Sequence, residues 1–510
     1  MERKGLLVLM PILRTEMALA SFVQIVCGII LAFFPSQVLS LTAKQAAQDI
    51  CSQFNTQYPN ITFLPLKSQY ESGCTENWSE TAWGKPTCIV KPRGTNLLQE
   101  LVRTLSSQSI YYAIRSGGHS PSPLAANIDT GVLIDLSALN QIVYHADRGV
   151  VEVGTGLKWS HVYAYLDGYN VTVVGGRDLD VGVGGLILGG GLSYLSNLYG
   201  LVCDNVASYQ IILANGSLID ANSTSHTDLF WALKGGANNF GIVTAFTLYT
   251  YPIHMVWGGV KQYSLDQLPR LLAAAYEFQY SGITDPYANF MLQAFTTNKT
   301  VGAVLNMVYL KPEKEPAAFA PFASISTLED TTKVQTLTQM ISGQMVPPIP
   351  RWDWFATRFT PSSSLYRDIS EMVMSAPEVR TIQAVESGTL ALGFQPISSS
   401  AITAGQAHGG NALGLRKETQ TWFVLDVGWY QPADDATVHN ATRSLSDAIM
   451  AQAQIRGVHV PYIFMNDASW DQNVIGHYGT ESVERLKKVQ RQYDPELIFQ
   501  RLVPGGFKLP

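Results

Sequence analysis

A run of glycines between Gly182 and Gly191 constrains the fold of this chain more than any other feature of its sequence. Six glycines fall within these ten residues, at positions 182, 184, 185, 189, 190 and 191. Backbone without side chains can approach a flat or phosphorylated ligand closely and can adopt positive φ. The spacing does not match the Rossmann fingerprint, because the third glycine position holds Ile187. The run therefore predicts a glycine-rich nucleotide-binding segment of another kind.

Two further glycine motifs lie on either side of that run. Residues 115–120 read Arg-Ser-Gly-Gly-His-Ser and follow the apolar segment Tyr111–Ile114, so His119 projects from a tight turn. Backbone N–H groups in such a turn suit a bound anion. Residues 234–243 read Lys-Gly-Gly-Ala-Asn-Asn-Phe-Gly-Ile-Val and run into an apolar strand predicted over 243–248. Taken alone, the His119 segment also fits a surface hairpin, but the three motifs together favour a nucleotide site.

Composition narrows the class of protein. Charged residues make up 15% of the 510 residues, against about 25% in an average globular protein. Lys and Arg number 34 against 40 Asp and Glu, and no basic stretch is long enough to follow a phosphate backbone, which excludes a nucleic-acid partner. Hydrophobic residues at 46% exclude a disordered chain. The histidines are scattered, without HExxH or CxxC spacing, so no metal site is expected.

The first 40 residues have the order of a secretory signal. Basic residues Arg3, Lys4 and Arg14 precede an apolar stretch over 17–34, and small or β-branched residues follow up to Ser40. This order predicts cleavage after Ser40 and a protein that is secreted or lies in the lumen of the secretory pathway. The alternative is a membrane anchor, because about 18 apolar residues reach the lower limit for crossing a bilayer. No basic stop-transfer segment follows, so we expect no membrane association of the mature form.

Glycosylation motifs and cysteines agree with secretion. Seven N-x-[ST] sequons occur, at Asn60, Asn77, Asn170, Asn215, Asn222, Asn298 and Asn440, and their number suits a glycoprotein. Outside the signal segment the cysteines are Cys51, Cys74, Cys88 and Cys203. They are too few for a disulfide scaffold but sufficient for one or two disulfides in an oxidising compartment. Their connectivity stays open at the level of the sequence.

The distribution of strand-like and helical segments predicts an α+β protein. Between residues 82 and 252, short β-branched segments alternate with glycine turns, and Asn215-Gly216 indicates a β-hairpin. Between residues 253 and 455, longer amphipathic stretches surround strand-like segments such as 421–427. The helices expected from the apolar spacing are 97–105, 159–166, 265–280, 437–453 and 482–493. Asp494-Pro495 ends the last of these helices.

Four ordered motifs resemble the berberine-bridge-enzyme-like flavin oxidases, which belong to the vanillyl-alcohol-oxidase or PCMH-type FAD-binding superfamily. They are the segments 115–119, 182–191, 199–205 (Tyr-Gly-Leu-Val-Cys-Asp-Asn) and 235–243. The segments at 466–467, 478–479 and 493–499 are similar to that family's C-terminal region. The resemblance implies a two-part FAD domain at 42–252 (core about 82–252) and 456–510. It also implies a substrate domain at 253–455 with an antiparallel sheet, in a monomer.

The resemblance assigns roles around the cofactor. His119 matches the histidine that bonds covalently to the flavin 8α-methyl group, and Asp178 stands where some relatives carry a second, cysteine attachment, so a single covalent link is expected. Val181 matches the position that gates oxygen and resembles the oxidases, which implies O2 as electron acceptor. The other residues implied for FAD binding are Arg115, Ser116, Gly117, Gly118, Ser120, Gly176, Gly182, Gly184, Gly185, Gly189, Gly190, Tyr199, Gly241, Ile242, Val243 and Asn466.

The catalytic residues are less well defined, because this chain departs from the family pattern. Pro121 replaces a frequent tyrosine, and Leu186 replaces a frequent histidine. No Asp or Glu lies between Glu386 and Glu418, where some plant relatives carry a carboxylate base, which argues against a dedicated carboxylate there. The polar candidates on the substrate side are Asp426, Tyr430, Asn411 and His408. A strand over 421–430 would place Trp422, Val424, Asp426 and Tyr430 on one face.

The expected function is therefore an FAD-linked oxidase that removes a hydride from an activated C–H of a small molecule. Resemblance to secreted fungal members favours an alcohol, phenolic or benzylic carbon of a secondary metabolite, such as a polyketide. One alternative is a secreted carbohydrate oxidase that forms a lactone. An alternative of another class is a redox-silent binding glycoprotein, against which the retained His119 and glycine motifs argue.

Overall fold

The computed structural model describes residues 42–296, 302–343 and 348–510. Within these ranges, helices alternate with strands that form sheets of four, six and eight strands. Helices together with mainly antiparallel sheets confirm the predicted α+β class. The predicted signal segment, residues 1–40, and the sequon at Asn298 lie outside the described residues. No helix within the described ranges is long and apolar enough to cross a membrane.

The four-stranded sheet lies in the first part of the chain. Its strands are β1 (Thr62–Phe63), β2 (Cys88–Val90), β3 (Tyr112–Arg115) and β4 (Val132–Asp135), in the order β1-β2-β4-β3. The helices are α1 (42–57), α2 (Ser68–Cys74) and α3 (Thr95–Ser107). A disulfide between Cys51 and Cys88 ties α1 to β2, whereas Cys74 and Cys203 are buried free thiols.

The six-stranded sheet follows and contains the predicted hairpin. Its strands are β5 (Ile142–His145), β6 (Val150–Gly154), β7 (Thr172–Val173), β8 (Val206–Ile212), β9 (Leu218–Asn222) and β10 (Ile242–Tyr251). The order is β5-β6-β10-β8-β9, and β7 also pairs with β10. Gly216 adopts φ +79° in the turn between β8 and β9, which confirms the hairpin. The helices are α4 (Trp159–Asp167), α5 (Val183–Leu188), α6 (Ser196–Tyr199) and α7 (Thr227–Leu233).

The eight-stranded sheet is antiparallel between its paired strands and forms the largest layer. The strands are β11 (Met255–Tyr263), β12 (Ala288–Phe295), β13 (Ala303–Tyr309), β14 (Glu329–Asp330), β15 (Lys333–Thr336), β16 (Arg351–Phe359), β17 (Thr389–Ile397) and β18 (Gln420–Trp429). Their order is β14-β11-β13-β12-β17-β18-β16, with β15 also paired to β11.

Helices cover one face of this sheet and leave the other face to a cavity. The covering helices are α8 (Leu268–Tyr280), α10 (Ser363–Ser375), α11 (Pro377–Ala384) and α13 (Asp435–Ile455). The helices α9 (Leu337–Ser342) and α12 (Ser399–Ala407) pack instead in the cluster that contains the six-stranded sheet. Buried residues of α8, α10, α11 and α13 share one hydrophobic cluster with alternate residues of the strands, such as Leu292, Leu392 and Leu425. The residues between them, including Gln293 and Val424, face away from this cluster and line the cavity.

The C-terminal helices pack on the first two sheets. They are α14 (Thr480–Tyr493) and α15 (Ile498–Arg501). Val483, Leu486 and Val489 are buried on one side of α14, as the apolar spacing predicts. Phe499 of α15 is buried in the same cluster as residues of the four-stranded sheet. This packing favours the proposed division into 42–252, 253–455 and 456–510, with the last part joined to the first.

Candidate functional site

A cavity of about 1790 Å³ lies between the glycine-rich segments and the free face of the eight-stranded sheet. One wall consists of backbone-rich segments near residues 116–126, 176–189, 237–243, 464–470 and 504–507. The opposite wall consists of alternate residues of β11, β12, β13, β16, β17 and β18. The cavity therefore brings together three glycine motifs that are spread over more than a hundred residues of the chain.

Two of these motifs touch through Gly117 and Gly182. A Cβ atom added to Gly117 would lie 2.4 Å from the Cα of Gly182, and one added to Gly182 would lie 2.5 Å from the Cα of Gly117. Any side chain at either position would collide with backbone, which cannot move aside cheaply. The contact fixes the turn that carries His119 against the start of α5, and it explains why glycine occupies both positions.

Gly189 and Asn466 make a similar contact between α5 and the C-terminal segment. A Cβ atom at Gly189 would lie 2.5 Å from Asn466 Nδ2. The Asn466 side chain accepts a hydrogen bond from Gly191 N at 3.1 Å and donates one to Gly185 O at 3.3 Å. Asn466 therefore clamps the C-terminal segment onto the glycine run, and the same segment supplies further residues to the cavity wall.

His119 lies in the cavity wall with one ring nitrogen unpartnered. Its Nε2 atom is buried and has no hydrogen-bond partner among the described residues, and Asp178 Oδ2 lies 3.9 Å away. Burial lowers the pKa of His119, although the charges of Asp178 and Asp180 oppose this change. The Trp78 indole stacks on the imidazole, with ring centroids 4.5 Å apart and an interplanar angle of 8°. The result is a neutral, oriented imidazole nitrogen at the cavity surface.

Arg115, predicted to bind the cofactor, does not line the cavity. Its buried guanidinium donates hydrogen bonds to Gly73 O at 2.6 Å and Asn77 Oδ1 at 3.1 Å, and it pairs with Glu76 and Asp135 at 2.9 Å each. These bonds occupy the side chain behind the turn. Arg115 therefore supports the turn that carries His119 from outside the cavity lining.

The remaining predicted cofactor residues divide into two groups. Most of them line the cavity: Ser116, Gly117, Gly118, Ser120, Gly176, Val181, Gly182, Gly184, Gly185, Gly189, Gly241, Ile242, Val243 and Asn466. Gly190 and Tyr199 do not line it. Gly190 O accepts a hydrogen bond from Cys203 N at 2.8 Å, and Tyr199 stacks on Tyr251 at 3.8 Å. These two residues stabilise the wall from behind.

The cavity fits a flat dinucleotide such as FAD. A Cβ atom added to Gly185 would meet no atom within 4 Å, although Gly185 lines the cavity, so glycine here leaves room for a ligand. The unpartnered nitrogen of His119 offers a bonding position on the same wall. The described residues contain no group of three His, Cys, Asp or Glu that could hold a metal ion.

Asp426 lies on the sheet side of the cavity. It pairs in register with Ala391 of β17 and Trp354 of β16, and Ala391 pairs with Phe295 of β12. All four residues line the cavity in one row, with Trp354 directly on one side of Asp426 and Phe295 beyond Ala391 on the other. The pKa of Asp426 is raised to about 8, chiefly by burial and next by the charge of Asp467, while the charge of Arg177 lowers it.

Asp467, Arg177 and Gln395 complete a polar cluster with Asp426. Gln395 Nε2 donates to Asp467 Oδ2 at 2.7 Å, and Arg177 donates to Gln395 Oε1. Burial raises the pKa of Asp467, which the hydrogen bond from Gln395 and the charge of Arg177 oppose. One partly buried cation thus lies near two partly buried carboxyl groups. A carboxyl group with a pKa near the working pH is suited to accept a proton from a bound molecule.

The other predicted catalytic residues lie elsewhere. Tyr430 follows the end of β18 and lines a neighbouring pocket of about 600 Å³ together with Trp78 and Asp180. Neither His408 nor Asn411 lines the main cavity, because Asn411 Nδ2 donates to Asp204 at 2.9 Å and His408 O accepts from Lys234 Nζ at 3.0 Å. The structure therefore places Tyr430, His408 and Asn411 outside the lining of the main cavity.

Sequence reasoning missed several residues of the site. Arg177 ends the segment Val174-Gly-Gly-Arg177, and Asp467 adjoins Asn466, so both stood next to recognised motifs. No sequence pattern identified Gln395 as a site residue, because β17 is buried on both faces and lacks alternating polarity. No pattern identified Trp78 either, since it lies in an irregular segment far from His119 in the sequence.

Comparisons with known proteins agree with this site. An FAD-binding domain family model matches residues 86–222. The chain is 35% identical over 439 residues to a bifunctional solanapyrone synthase of Alternaria solani, covering 84% of this chain and 83% of that protein. It is 36% identical over 456 residues to the FAD-dependent monooxygenase FUP4 of Fusarium proliferatum, covering 85% and 87%.

Solved structures with the same fold are more distant in sequence. A 6-hydroxy-D-nicotine oxidase from Arthrobacter nicotinovorans matches with a TM-score of 0.72 at 19% identity, covering 88% of this chain and 97% of that one. A xylooligosaccharide oxidase from Myceliophthora thermophila matches with a TM-score of 0.73 at 18% identity, covering 91% and 99%. At these identities the likeness concerns the fold alone.

Proposed function

The chain belongs to the berberine-bridge-enzyme-like FAD-linked oxidoreductases, and on that premise we propose that it is an O2-using oxidase of a small secondary metabolite. The substrate loses a hydride from an activated C–H together with a proton, and O2 becomes H2O2. The observation that carries this proposal is Asp426, a carboxyl group with a raised pKa that lies next to Trp354 on the cavity wall opposite His119.

The glycine wall would hold the cofactor. Gly117, Gly182 and Gly185 present backbone to the cavity, and the C-terminal segment, clamped by Asn466, closes it from another side. FAD supplies the chemistry when bound: it takes up the hydride and passes the electrons on to O2. The protein supplies orientation and a site from which water is excluded.

His119 is the proposed attachment residue for FAD. A buried imidazole nitrogen without a partner is costly unless something satisfies it, and a covalent bond to the cofactor would do so. The lowered pKa of His119 keeps the ring neutral, and a neutral nitrogen has the lone pair that such a bond requires. Asp178, at the position of a second attachment in some relatives, is not a nucleophile of that kind, which favours a single bond.

Asp426 is the proposed base. In its ionised form it would accept the proton of a substrate hydroxyl group, while the C–H of the same carbon gives up its hydride. Trp354 lies next to the carboxyl group in its row, and Phe295 follows Ala391 on the other side. Both rings would contact a flat substrate bound at Asp426. Gln395 and Arg177 would keep Asp467 in place, so that its charge maintains the raised pKa of Asp426.

Oxygen use is supported by Val181. This residue lines the cavity beside Gly182, and the family resemblance associates a valine at this position with oxidases. Several relatives are named monooxygenases, so insertion of oxygen into the substrate is the outcome against which the oxidase proposal must be tested.

The substrate class follows from the relatives and from the sheet wall. The chain's most similar relatives include a synthase from Alternaria solani, which favours a secondary metabolite such as a polyketide alcohol or phenol. Aliphatic side chains on the sheet wall, among them Val260, Met291 and Val304, suit a largely apolar molecule better than a sugar.

Secretion remains part of the proposal. The Cys51–Cys88 disulfide agrees with an oxidising compartment. The sequon residues Asn60, Asn170, Asn215 and Asn440 are exposed and could carry glycans. Asn77 is buried and accepts hydrogen bonds from Arg115 and Asn127, so a glycan at that sequon is incompatible with this fold.

The test is a redox assay of the purified holoenzyme with a panel of aromatic alcohols and xylo-oligosaccharides. We expect bleaching of the flavin absorbance without air, H2O2 release in air, and a product that has lost two hydrogen atoms. A product that gains one oxygen atom would instead assign a monooxygenase. Activity confined to the oligosaccharides would identify the protein as a carbohydrate oxidase. If no donor bleaches the flavin, the remaining interpretation is a binding protein without redox activity.

A further inference from the structure

We propose that the eight-stranded sheet carries a substrate track that ends in an acceptor pair, Glu329 and Gln262, and that selects elongated, largely apolar molecules with a hydrogen-bond donor at the far end. This inference rests on the proposed function, because it assigns a substrate class to the same cavity. Its evidence is the register of six strands across the cavity wall.

The track is one row of residues that runs across the sheet. Gln262 of β11 pairs with Glu329 of β14 on one side and with Val304 of β13 on the other. Val304 pairs with Gln293 of β12, Gln293 pairs with Gly393 of β17, and Gly393 pairs with Val424 of β18. Paired residues share a face of the sheet, and all of these except Gly393 line the cavity.

The outer end of the row is an acceptor pair. Gln262 Nε2 donates a hydrogen bond to Glu329 Oε2 at 2.7 Å. A carboxylate only accepts hydrogen bonds, so the amide must turn its NH2 group toward Glu329. The second oxygen of Glu329 and the oxygen of Gln262 can then only accept, which makes this end complementary to an ammonium, hydroxyl or amide N–H group.

The carboxyl groups of the sheet wall lie near the two ends of this row. Of the described sheet residues that line the cavity, only Glu329 and Asp426 carry carboxyl groups. Glu329 is exposed, Gln262, Val304 and Gln293 are partly exposed, and Val424 is buried. The row therefore leads from solvent to a buried inner end, where Val424 lies two residues from Asp426 on the same face of β18.

The length of the track sets the length of the substrate. Neighbouring strands lie about 4.8 Å apart, so Gln262 and Val424, four strands apart, are separated by about 19 Å. A single ring at Asp426 cannot reach the acceptor pair over that distance. A molecule with a flat reacting end, a middle section that passes Gln293 and Val304, and a donor group at its far end would contact the whole row.

Binding of synthetic probes to the holoenzyme tests the track separately from catalysis. The probes are 4-alkoxybenzamides, which have no alcohol to oxidise, with a short or a long alkyl chain and a terminal methyl or ammonium group. Their dissociation constants are read from the perturbation of the flavin absorbance. We expect the ammonium group to improve affinity about tenfold over methyl on chains that span about 19 Å, and not on short chains.

Glu329→Gln should abolish most of that preference, while Glu313→Gln should keep it. Glu313 is exposed, does not line the cavity and lies 3.9 Å from Lys311, so it controls for loss of one surface charge. Equal affinity of methyl and ammonium probes at both lengths, or a preference unchanged in Glu329→Gln, would overturn the track.

The matching 4-alkoxybenzyl alcohols separate this inference from the proposed function. If they are oxidised but the benzamides show no end-group preference, the track is wrong and the oxidase assignment stands. If the benzamides show the preference but no alcohol reduces the flavin, the track stands and the proposed reaction is wrong.

Discussion

The Trp78 indole lies parallel to the His119 imidazole, 4.5 Å away and tilted by only 8°. Trp78 also stacks on Trp352 of β16 at 5.3 Å, and its backbone N donates to Gly118 O at 2.9 Å. One residue from an irregular segment thus contacts the turn that carries His119 and the sheet that carries Asp426. Trp78 is therefore a positioning residue for the imidazole ring.

Replacing Trp78 should slow attachment of the cofactor. An aromatic pair contributes about 0.5–1.5 kcal/mol, so Trp78→Ala should lower the rate of covalent FAD incorporation roughly two- to tenfold. Trp78→Phe keeps a ring and the backbone hydrogen bond, and it should stay near the wild-type rate. The measurement follows acid-precipitable flavin over time after FAD is added to apoprotein. Equal rates in all three proteins would show that stacking does not orient His119.

Asp426→Asn should remove the base. Because a base acts in its ionised form and the pKa of Asp426 is raised to about 8, wild-type kcat/KM should rise as the pH increases through about 8. The variant should lose this rise and about 10²–10⁴-fold of the rate. Its flavin content and absorbance spectrum serve as controls for folding. A variant that retains the wild-type pH profile would assign the proton transfer to another group.

Asp467→Asn should move the same pH profile in a known direction. The negative charge of Asp467 raises the pKa of Asp426 and Arg177 lowers it. Removing the charge at Asp467 should therefore shift the inflection of kcat/KM to lower pH, whereas Arg177→Gln should shift it to higher pH. The pair of opposite shifts separates an electrostatic role from a general loss of structure, which would move neither inflection in a defined direction.

The Cys51–Cys88 disulfide should contribute measurably to stability. It closes a loop with a sequence separation of 37 residues, for which the chain-entropy model gives about 3–4 kcal/mol. The Cys51→Ala, Cys88→Ala double variant should therefore unfold at lower denaturant concentration than wild type. Cys74→Ala removes a buried free thiol and leaves the loop closed, so it is the matched control. If the double variant and the control have the same unfolding free energy, the disulfide is not stabilising.

Local sequence signals were sufficient for much of the fold. The Asn215-Gly216 turn, the apolar face of α14 and the helices α3, α4 and α13 follow from turn chemistry and 3.6-residue spacing, which depend on neighbouring residues alone. The pairing order of the eight-stranded sheet did not follow, because its central strands β17 and β18 are buried on both faces over most of their length. Such strands carry no alternation from which a register could be read.

The two walls of the cavity also differed in how far their residues could be predicted from the sequence. The glycine wall could be predicted, because contacts such as Gly117–Gly182 leave no room for a side chain and therefore require glycine at both positions. On the sheet wall only Asp426 was anticipated, from the period of β18. Trp354 and Phe295, which lie in the same row, come from strands 72 and 131 residues earlier in the chain, and only the register brings them into one row with Asp426.

The fate of the flavin after acid precipitation tests the central claim, that this cavity holds FAD bonded to His119, most directly. We expect the wild-type pellet to stay yellow and the flavin to map to the peptide containing His119. The His119→Ala pellet should be colourless, while His145→Ala, a partly buried histidine on β5 that lies 3.0 Å from Glu152 of β6 and outside the cavity lining, should behave like wild type. Complete release of flavin from the wild-type protein, or covalent flavin in His119→Ala, would contradict the account.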